Sequence, residues 1–410
     1  MREMKDSGIE WIADIPEHWS VSKIGGLYSL RVTKVSDRDY PPLSVTNKGI
    51  LPQLETAAKT NAHDDRKLVC KGDFAINSRS DRRGSCGISS YTGSVSLINT
   101  ILRPMTEMHP QYYNWLFHTI QFGDEFYKWG HGIVDDLWTT GWQDMKKISI
   151  PTPPITEQAV ISDFLDEQCA EIDSLISDIQ SQIEALEEYK RSVITEAVTK
   201  GLDPDVEMRD SGVQWIVEIP THWTLIRIGS LYGLRTQKVS DIDYPPLSVT
   251  KMGVLPQLDT VAKTNAHDDR KLVVKGDFVI NSRSDRRGSC GISDYTGSVS
   301  LINTVLFPIT EMNPRYYNWY FHTVGFADEF YRWGHGIVDD LWTTGWQDMK
   351  NILISVPPLD EQQRIADYLD SKCAEIDNII TEKKQQIETI EEYKKSLIFE
   401  YVTGKKEVQA

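Results

Sequence analysis

The sequence predicts an α+β fold in which two mixed α/β domains are joined by two long coiled-coil helices, with internal pseudo-two-fold symmetry. Three observations support this prediction. The chain of 410 residues repeats itself at an offset of 204 positions without a gap. Each copy contains short runs of β-forming residues. Each copy then ends in a helical segment of about 40 residues with apolar residues at every seventh position.

The repeat defines the domain organisation. Trp11 matches Trp215 and Pro153 matches Pro357, and the same offset holds from end to end. A period of this length indicates a duplicated domain, because solenoid repeats are much shorter. Two equivalent copies in one chain imply internal two-fold pseudosymmetry. The predicted segments are a first domain at 1–152, a first long helix at 153–204, a second domain at 205–356 and a second long helix at 357–410.

Within each copy the local patterns predict a mixed α/β domain. The opening segment, 7–19 in the first copy, is rich in turn-forming and aromatic residues. Runs of β type follow at 41–46, 68–77, 86–91 and 94–102, separated by turn residues such as those at 72–73 and 92–93. A helix is predicted at 110–120, an irregular segment rich in Gly and Trp at 123–147, and a last strand at 148–150.

The long helices are predicted from a two-column apolar seam. Prolines stop a helix upstream of each segment, and Gly201 with Pro204 ends the first one. A helix of about 40 residues needs a partner along its length, although a core helix of a bundle is an alternative. The second column consists of Cys169, Ile176, Ile183, Cys373, Ile380 and Ile387, and Lys383 interrupts the first. The first column consists of Leu165, Ile172, Ile179, Leu186, Val193, Leu369, Ile376, Ile390 and Leu397.

Composition limits the class of protein. We expect no membrane span, because there is no apolar run of 18 residues, and no signal peptide, because the N-terminus lacks an apolar core. The five cysteines form no C-x-x-C motif, so we expect reduced thiols and a cytoplasmic location.

The net charge of −16 is concentrated in the helical segments. Residues 157–200 carry 11 acidic and 3 basic residues, and residues 361–404 carry 10 acidic and 6 basic residues. The rest of the chain is therefore close to neutral, which permits a local basic surface but excludes bulk electrostatics as the main source of any affinity for DNA.

Three polar loops in each copy are candidates for binding nucleic acid. In the first copy they cover 59–67, 77–85 and 129–132. Arg can bind the edge of guanine and Asn that of adenine, whereas Lys and Ser commonly bind phosphates. A solvated loop with Asp–Arg pairs is the alternative for each. The candidate residues are Lys59, Asn61, His63, Arg66, Lys67, Asn77, Arg79, Arg82, Arg83 and His131, with their equivalents Lys263, Asn265, His267, Arg270, Lys271, Asn281, Arg283, Arg286, Arg287 and His335.

No catalytic or metal-binding residue is predicted. The chain contains no G-x-x-x-x-G-K-[ST] phosphate loop, no G-x-S-x-G nucleophile motif and no H-E-x-x-H zinc motif. His63 and His131 lack metal-ligand spacing to any cysteine.

Two duplicated motifs carry a resemblance to a known family. The segment 6–19 contains Trp11 and ends in Glu-His-Trp, and the segment 153–158 reads Pro-Pro-Ile-Thr-Glu-Gln. In these motifs, and over essentially its whole length, the chain resembles the specificity subunits of Type I restriction–modification systems. The resemblance implies target-recognition domains at 20–152 and 224–356, antiparallel pairing of the long helices, and a non-catalytic role in binding a bipartite DNA target.

The resemblance also implies partners for this chain. It implies two methyltransferase subunits that use S-adenosylmethionine and restriction subunits that use ATP, with Mg²⁺, so that no cofactor is expected in this chain. The three candidate loops are identical in the two copies. We therefore predict that the DNA target is an inverted repeat whose two halves are separated by an unspecified spacer. The centres of the two half-sites should lie roughly one helical turn apart. The alternatives are a self-contained nuclease or DNA methyltransferase, and a coiled-coil protein-interaction scaffold.

Overall fold

The computed structural model describes residues 2–54, 63–132, 138–258, 269–336 and 342–408. The chain forms two compact units, one comprising Met1–Ile179 with Gln385–Ala410 and the other comprising Gln180–Lys384. Both units contain sheets and helices, as expected for an α+β fold. Each of the two long helices, Ile155–Lys200 and Leu359–Val402, contributes one part to the first unit and another part to the second.

The first unit is built from short strands and helices. Its strands are β1 (Met4–Ile9), β2 (Ala13–Pro16), β3 (Ser20–Lys23), β4 (Tyr28–Leu30), β5 (Lys34–Val35), β6 (Leu43–Thr46), β7 (Gly49–Pro52), β8 (Arg66–Val69), β9 (Phe74–Asn77), β10 (Cys86–Ile88), β11 (Gly93–Val95), β12 (Asn99–Pro104) and β13 (Ser149–Thr152). Its helices are α1 (Ile24–Leu27), α2 (Pro110–Phe117), α3 (Ile120–Lys128), α4 (Trp142–Met145) and the first part of α5 (Ile155–Lys200).

The strands of the first unit form small antiparallel sheets. The largest has the order β10-β9-β12-β4, and a second has the order β11-β8-β5. Strands β6 and β7 form a hairpin. In the largest sheet Asn99 of β12 lies opposite Asn77 of β9. This register places the segment that follows β9 beside the segment that precedes β12.

The second unit repeats this arrangement. Its strands are β14 (Met208–Asp210), β15 (Glu218–Pro220), β16 (Thr224–Arg227), β17 (Tyr232–Leu234), β18 (Lys238–Val239), β19 (Leu247–Thr250), β20 (Gly253–Pro256), β21 (Arg270–Val273), β22 (Phe278–Asn281), β23 (Cys290–Ile292), β24 (Gly297–Val299), β25 (Asn303–Pro308) and β26 (Leu353–Val356). Its helices are α6 (Pro314–Phe321), α7 (Val324–Arg332), α8 (Trp346–Met349) and the first part of α9 (Leu359–Val402). The main sheet has the order β17-β25-β22-β23.

An aromatic core holds helices α2 and α3 on the main sheet of the first unit. Tyr112, Tyr113 and Phe117 of α2 are fully buried. The ring of Phe117 lies 4.8 Å from that of Phe74 in β9 and 4.5 Å from that of Phe122 in α3. Burying one such side chain stabilises the fold by about 1.5–3 kcal/mol, so this cluster fixes the sheet that carries the loops.

The two long helices run antiparallel within each unit. In the first unit Lys394 Nζ donates to Asp173 Oδ1 at 2.6 Å, and the rings of Phe164 and Tyr401 lie 4.5 Å apart. Residue numbers therefore rise along α9 as they fall along α5. In the second unit Lys190 Nζ donates to Asp377 Oδ1 at 2.7 Å. The fold class predicted from the sequence, with two long antiparallel helices, is confirmed in each unit.

Most side chains of the predicted apolar seam are buried. Leu165, Ile179, Val193, Leu369, Ile376 and Leu397 are buried, whereas Ile172, Leu186 and Ile390 are half-buried. Gly201 and Gly404 follow the helix ends with positive φ angles of 81° and 72°, the left-handed conformation that commonly ends a helix. All five cysteines are free thiols, and four of them are buried.

Some elements differ from the sequence-based predictions. The predicted helix at 110–120 is two helices, because Thr119 accepts a hydrogen bond from Phe122 N at 3.2 Å and caps a new one. The segment predicted to be irregular therefore contains most of α3 and all of α4. The opening segment forms the hairpin β1–β2, and β3 pairs with β13. The pairing of β3 with β13 joins residues far apart in sequence, which local propensity does not reveal.

Candidate nucleic-acid interface

The recognition loop, defined as residues 77–85 in the first copy and 281–289 in the second, is closed by its own backbone. Asn77 N donates to Ser85 O at 2.8 Å, and Asn77 Oδ1 accepts from Arg79 N at 3.1 Å. A short 3₁₀ helix, Ser80–Arg82, fills the centre of the loop. Asn77 itself is buried. The amide of Asn77 thus shapes the loop, and the arginines that follow it are presented to solvent.

The three arginines of the recognition loop are held to different degrees. Arg83 Nη1 donates to Asp124 Oδ1 at 2.7 Å, and its guanidinium lies 5.3 Å from the ring centre of Tyr127. Arg79 Nε lies 3.2 Å from Asp81 Oδ1. Arg82 is 69% exposed and lies 3.8 Å from Asp81, so it is the most accessible of the three. Its equivalent, Arg286, is 68% exposed.

The second-copy arginines repeat these contacts. Arg283 Nε lies 3.3 Å from Asp285 Oδ1. Arg287 binds the Asp328 carboxylate, and its guanidinium lies 5.6 Å from the ring centre of Tyr331. Asn281 is buried, and its Oδ1 accepts from Arg283 N at 3.1 Å. The two recognition loops therefore agree in conformation as well as in sequence.

The histidine loop, residues 129–132 and 333–336, is joined to the recognition loop through Thr139 and its neighbours. Ser80 N donates to Trp138 O and Thr140 N donates to Ser78 O, each at 2.9 Å. His131 N donates to Thr139 O at 2.9 Å. The second copy has the same bonds at Thr343. The side chain of His131 is 79% exposed, as is that of His335. Two loops that are distant in sequence thus form one surface.

Part of the first candidate loop supports the sheet. Lys59, Asn61, Lys263, Asn265 and His267 lie outside the described residues. Arg66 is buried, and its Nε and Nη2 donate to Ser94 Oγ and Ser94 O at 2.9 and 3.0 Å. Burial lowers the pKa of Arg66, although the Asp37 carboxylate acts in the opposite direction. Arg270 binds Ser298 in the same way. Contact of these arginines with DNA stays a prediction.

The remaining residues of this loop are also engaged within the protein. Lys67 Nζ donates to Asn99 O at 2.7 Å and Lys271 Nζ donates to Asn303 O at 2.6 Å. Burial lowers the pKa of both lysines. His63 Nδ1 lies 3.0 Å from the Asp37 carboxylate. These lysines fix the turn that precedes β12 and β25.

A cleft beside the recognition loop contains residues that sequence reasoning missed. The hairpin cleft has a volume of about 370 Å³ and lies between the β6–β7 hairpin, the recognition loop and the turn before β12. Its lining includes Ser44, Thr46 and Gln53 from the hairpin segment. The run 41–46 is predicted only as a strand, and nothing in that run alone indicates a site. The identity of these positions in both copies was the available signal.

The duplicated motifs meet at the start of each long helix. Trp19 Nε1 donates to Glu157 Oε2 at 3.0 Å, His18 Nε2 lies 2.5 Å from Glu157 Oε1, and Arg2 also binds this carboxylate. Burial acts to raise the pKa of Glu157, but the bonds from Trp19, His18 and Arg2 outweigh it and hold the pKa below 4.5. In the second copy Glu361 accepts from Trp223 Nε1 at 3.0 Å.

The glutamine of each motif has a structural role next to that carboxylate. Gln158 is buried, its Nε2 donates to Pro153 O at 2.8 Å, and its Oε1 accepts from His109 N at 2.9 Å. Gln362 makes the same two bonds with Pro357 O and Asn313 N. The glutamines therefore anchor the segment before α2 or α6 to the start of a long helix.

No group of three or more His, Cys, Asp or Glu side chains is arranged to hold a metal ion in the part of the chain that the structure describes. Among the helices in the described ranges, none combines the length and apolar character needed to cross a membrane.

Comparison with known proteins agrees with this arrangement. The family described as the Type I restriction modification DNA specificity domain matches residues 223–389, which is the second copy without its opening segment and the end of its helix. The first copy repeats that stretch at the offset of 204. Residues 223–389 thus form a domain that is similar to the Type I specificity domain.

Curated members of the specificity family are similar to most of the chain. A putative type I restriction enzyme MjaX specificity subunit from Methanocaldococcus jannaschii is 27% identical over 273 residues, which are 64% of this chain and 60% of that protein. The match thus spans less than two thirds of that relative. The type I restriction enzyme MjaVIII specificity subunit from the same organism is 25% identical over 320 residues, 71% of this chain and 69% of that protein.

Two solved structures have the same fold as this chain. A chain from work on complex assembly and conformational transition of the type I R-M system has a TM-score of 0.72 at 13% identity, covering 95% of this chain and 99% of its own length. The HsdS subunit from Thermoanaerobacter tengcongensis has a TM-score of 0.54 at 15% identity, covering 95% and 98%. Neither alternative considered from the sequence, an independent enzyme or a protein-interaction scaffold, receives support.

Proposed function

We propose that this chain is the DNA-recognition subunit of a Type I restriction–modification complex and that it binds an inverted-repeat target. The observation that carries the proposal is the equivalence of the two recognition loops. Arg82 and Arg286 have the same neighbours, the same contact with an aspartate and nearly the same exposure. Two equivalent surfaces bind the same chemical pattern, so each unit binds the same half-site.

Local chemistry supports DNA as the ligand. The exposed side chains of the joined loops include arginine and histidine, which donate hydrogen bonds to base edges and phosphates. The loops are braced by backbone bonds, so little order has to be gained on binding. The negative charge of the chain is concentrated in the long-helix segments at 157–200 and 361–404. Sequence-dependent contacts, and help from partner subunits, supply the affinity that bulk charge does not.

The exchange of helix partners supports an inverted repeat over a direct repeat. Asp173 binds Lys394 in the first unit, and the equivalent positions, Asp377 and Lys190, bind each other in the second. Equivalent residues that exchange roles are the signature of an isologous contact. Proteins with this symmetry bind half-sites on opposite strands, as dimeric repressors do.

Partner subunits carry the catalytic chemistry of the complex. The chain acts in the cytoplasm as a non-catalytic subunit, with methyltransferase subunits carrying S-adenosylmethionine and restriction subunits carrying ATP and Mg²⁺. This assignment extends the family relationship, and the absence of phosphate-loop and hydrolase motifs from the sequence supports it.

Mapping methylated adenines in host DNA tests the proposal. The expected result is a bipartite motif whose halves are reverse complements separated by a fixed spacer. A motif with two unlike halves would contradict the inverted repeat and leave the recognition function standing. A chain that shows no sequence-dependent binding or methylation together with its methyltransferase subunits would contradict the function itself.

A further inference from the structure

The hairpin cleft has a local charge opposite to that of the whole chain. Its charged lining residues are Arg66, Arg79, Arg82 and Asp81, a net charge of +2 in a chain of net charge −16. Converging positive charge in an acidic protein indicates an anionic ligand. Arg82 lies on the cleft and is well exposed, so the cleft opens on the surface formed by the recognition loop.

The floor of the cleft contains a buried acceptor that lacks a partner. Asn99 is 4% exposed, and its Nδ2 donates to Ser96 O at 3.1 Å. Within the described ranges no donor is found for Asn99 Oδ1, and the same holds for Asn303 Oδ1 in the second copy. An unsatisfied buried amide costs about as much as a lost hydrogen bond, and such groups occur where a ligand or water completes a site.

Gln53 lies on the wall of the cleft in a fixed backbone position. Gln53 N donates to Pro42 O at 3.0 Å, and Gln257 N donates to Pro246 O at the same distance. Gln53 is half-buried, and the part of the chain that the structure describes contains no hydrogen-bond partner for its side chain. The backbone at Gln53 is therefore held in place, while its side-chain amide makes no hydrogen bond to the described part of the protein.

An uncharged amide is better suited to binding a base edge of DNA than a phosphate. Phosphates are bound best by charged donors, which the neighbouring arginines provide. A glutamine side chain presents a donor and an acceptor side by side, which match N7 and the N6 amino group of adenine in the major groove. The lining of the cleft also includes the exposed apolar side chain of Ile98, which is suited to the methyl group of thymine.

Every lining residue of the cleft is matched by an identical residue 204 positions later. The matching residues are Leu247, Ser248, Val249, Thr250, Gln257, Arg270, Asn281, Arg283, Asp285, Arg286, Ser300, Ile302 and Asn303. Other surface positions differ between the copies, such as Arg38 and Ile242 or Lys48 and Met252. A base contact in one half-site is thus available in the other.

We propose that Gln53 and Gln257 are specificity-determining residues, each binding the major-groove edge of one adenine in its half-site. This inference rests on the proposed function and deepens it. Arg82 lines the same cleft as Gln53, and Arg82 and its equivalent Arg286 position the DNA backbone or a neighbouring base. The recognition surface therefore includes the β6–β7 hairpin segment and its equivalent, in addition to the two joined loops.

The test is selection of bound sequences from a random double-stranded DNA library by the full chain with its methyltransferase subunits. The variants are Gln53→Glu with Gln257→Glu, and Gln53→Glu alone. The control is Gln143→Glu with Gln347→Glu, which makes the same charge change at exposed equivalent positions that do not line the cleft.

For the double variant we expect adenine to be disfavoured about 5- to 140-fold at one position of each half-site, since one bidentate base contact accounts for that range. Cytosine should gain, because a carboxylate accepts from its N4 amino group. The single variant should change one half-site only, and its other half-site reports that the protein is folded. The control should keep the original preference.

Two results would overturn the inference. If the double variant binds with the original base preference at all positions, Gln53 and Gln257 are not specificity residues, although the proposed function stands. If the double variant does not bind, the single variant provides the test. If the single variant selects the original motif in both half-sites, that result contradicts the inference. Failure of the unaltered complex to select any sequence would instead contradict the proposed function.

Discussion

Lys394 Nζ lies 2.6 Å from the carboxylate of Asp173, which joins the end of one long helix to the beginning of the other. The equivalent contact in the second unit joins Lys190 to Asp377 at 2.7 Å. Both pairs connect α5 with α9, and the residue types exchange helices between the units. The contact is therefore a marker of the antiparallel register in each unit.

Charge reversal at this pair should have a small, recoverable effect. We expect Lys394→Asp to lower the melting temperature and the added change Asp173→Lys to restore it. The coupling should be about 0.2–1 kcal/mol, because the Asp173 side chain is 62% exposed and the pair is screened by solvent. Thermal melts at low and high salt measure it, and the coupling should shrink at high salt.

Asp377→Lys combined with Lys394→Asp is the control, because it changes charges in two different units. This combination should show no recovery. The antiparallel register would be contradicted if this control combination recovered the melting temperature, or if Lys394→Asp with Asp173→Lys did not.

Alanine should destabilise the protein to different degrees at the two glycines that end the long helices, because one position is only strained and the other is also crowded. Both have positive φ, so alanine at Gly201 should cost about 1–2 kcal/mol. At Gly404 the new methyl group would also lie 2.5 Å from Pro16 Cδ, whereas at Gly201 its nearest neighbour is Glu361 Oε1 at 3.1 Å. We expect Gly404→Ala to cost a further 1–3 kcal/mol or so. Denaturation midpoints of the two variants measure the difference, and equal midpoints would contradict it.

The carboxylate of Glu157 should make stability depend on acid pH. Its pKa is below 4.5 in the folded chain, so its contribution is fully present above the ordinary value and is lost as pH falls through the folded-state pKa. Glu157→Gln keeps an acceptor for Trp19 but removes the titration. The stability difference between the original chain and this variant should therefore shrink as pH falls below 4.5.

Melts of both proteins between pH 3 and pH 7, roughly the range in which carboxyl groups titrate, measure this dependence. Arg2 contacts the same carboxylate, so the variant should also lose its attraction near neutral pH. A difference that stays constant across the range would show that Glu157 does not contribute through its charge.

Removing the most exposed arginines of the recognition loops should weaken sequence-dependent binding. We expect Arg82→Ala with Arg286→Ala to cost about 1–3 kcal/mol in each half-site and to relax preference at one position of each half-site, if each arginine contacts a base. If each contacts a phosphate, binding should weaken equally for all sequences and the salt dependence should decrease. Titrations with specific and unrelated DNA at several salt concentrations distinguish these outcomes.

Arg103→Ala is a control for that experiment, because Arg103 is exposed on β12 and the second copy has Phe307 there. It should leave the base preference unchanged. Retention of full sequence preference by the double arginine variant would move the recognition surface away from this loop.

The long helices were predictable because their signal is local and repeated. Apolar residues at every seventh position, with Pro153 and Gly201 as boundaries, require only the neighbouring sequence. Helix α3 was missed because Gly123 and the many tryptophans suggest a loop, whereas the cap at Thr119 and the burial of Phe122 and Phe126 favour a helix. Tertiary packing overrode local propensity there.

The candidate site was predictable only in part. The charged loop after β9 and its exposed Arg82 could be recognised from composition. The burial of Arg66 against Ser94 could not, because it depends on the pairing of β8 with β11. Likewise Gln53 reaches the cleft through a hairpin, and Thr139 joins two loops through bonds across the chain. Contacts between segments that are remote in sequence leave no local pattern.

The division of α9 between the two units has a consequence for biosynthesis. The first unit is completed by residues 385–410, which leave the ribosome only after the whole second unit has been made. At roughly 5–20 residues per second, the 205 residues of Gln180–Lys384 take about 10–40 s to translate. During that time the surfaces that receive Leu397 and Val402 are uncovered. The half that is translated first is thus the last to be completed.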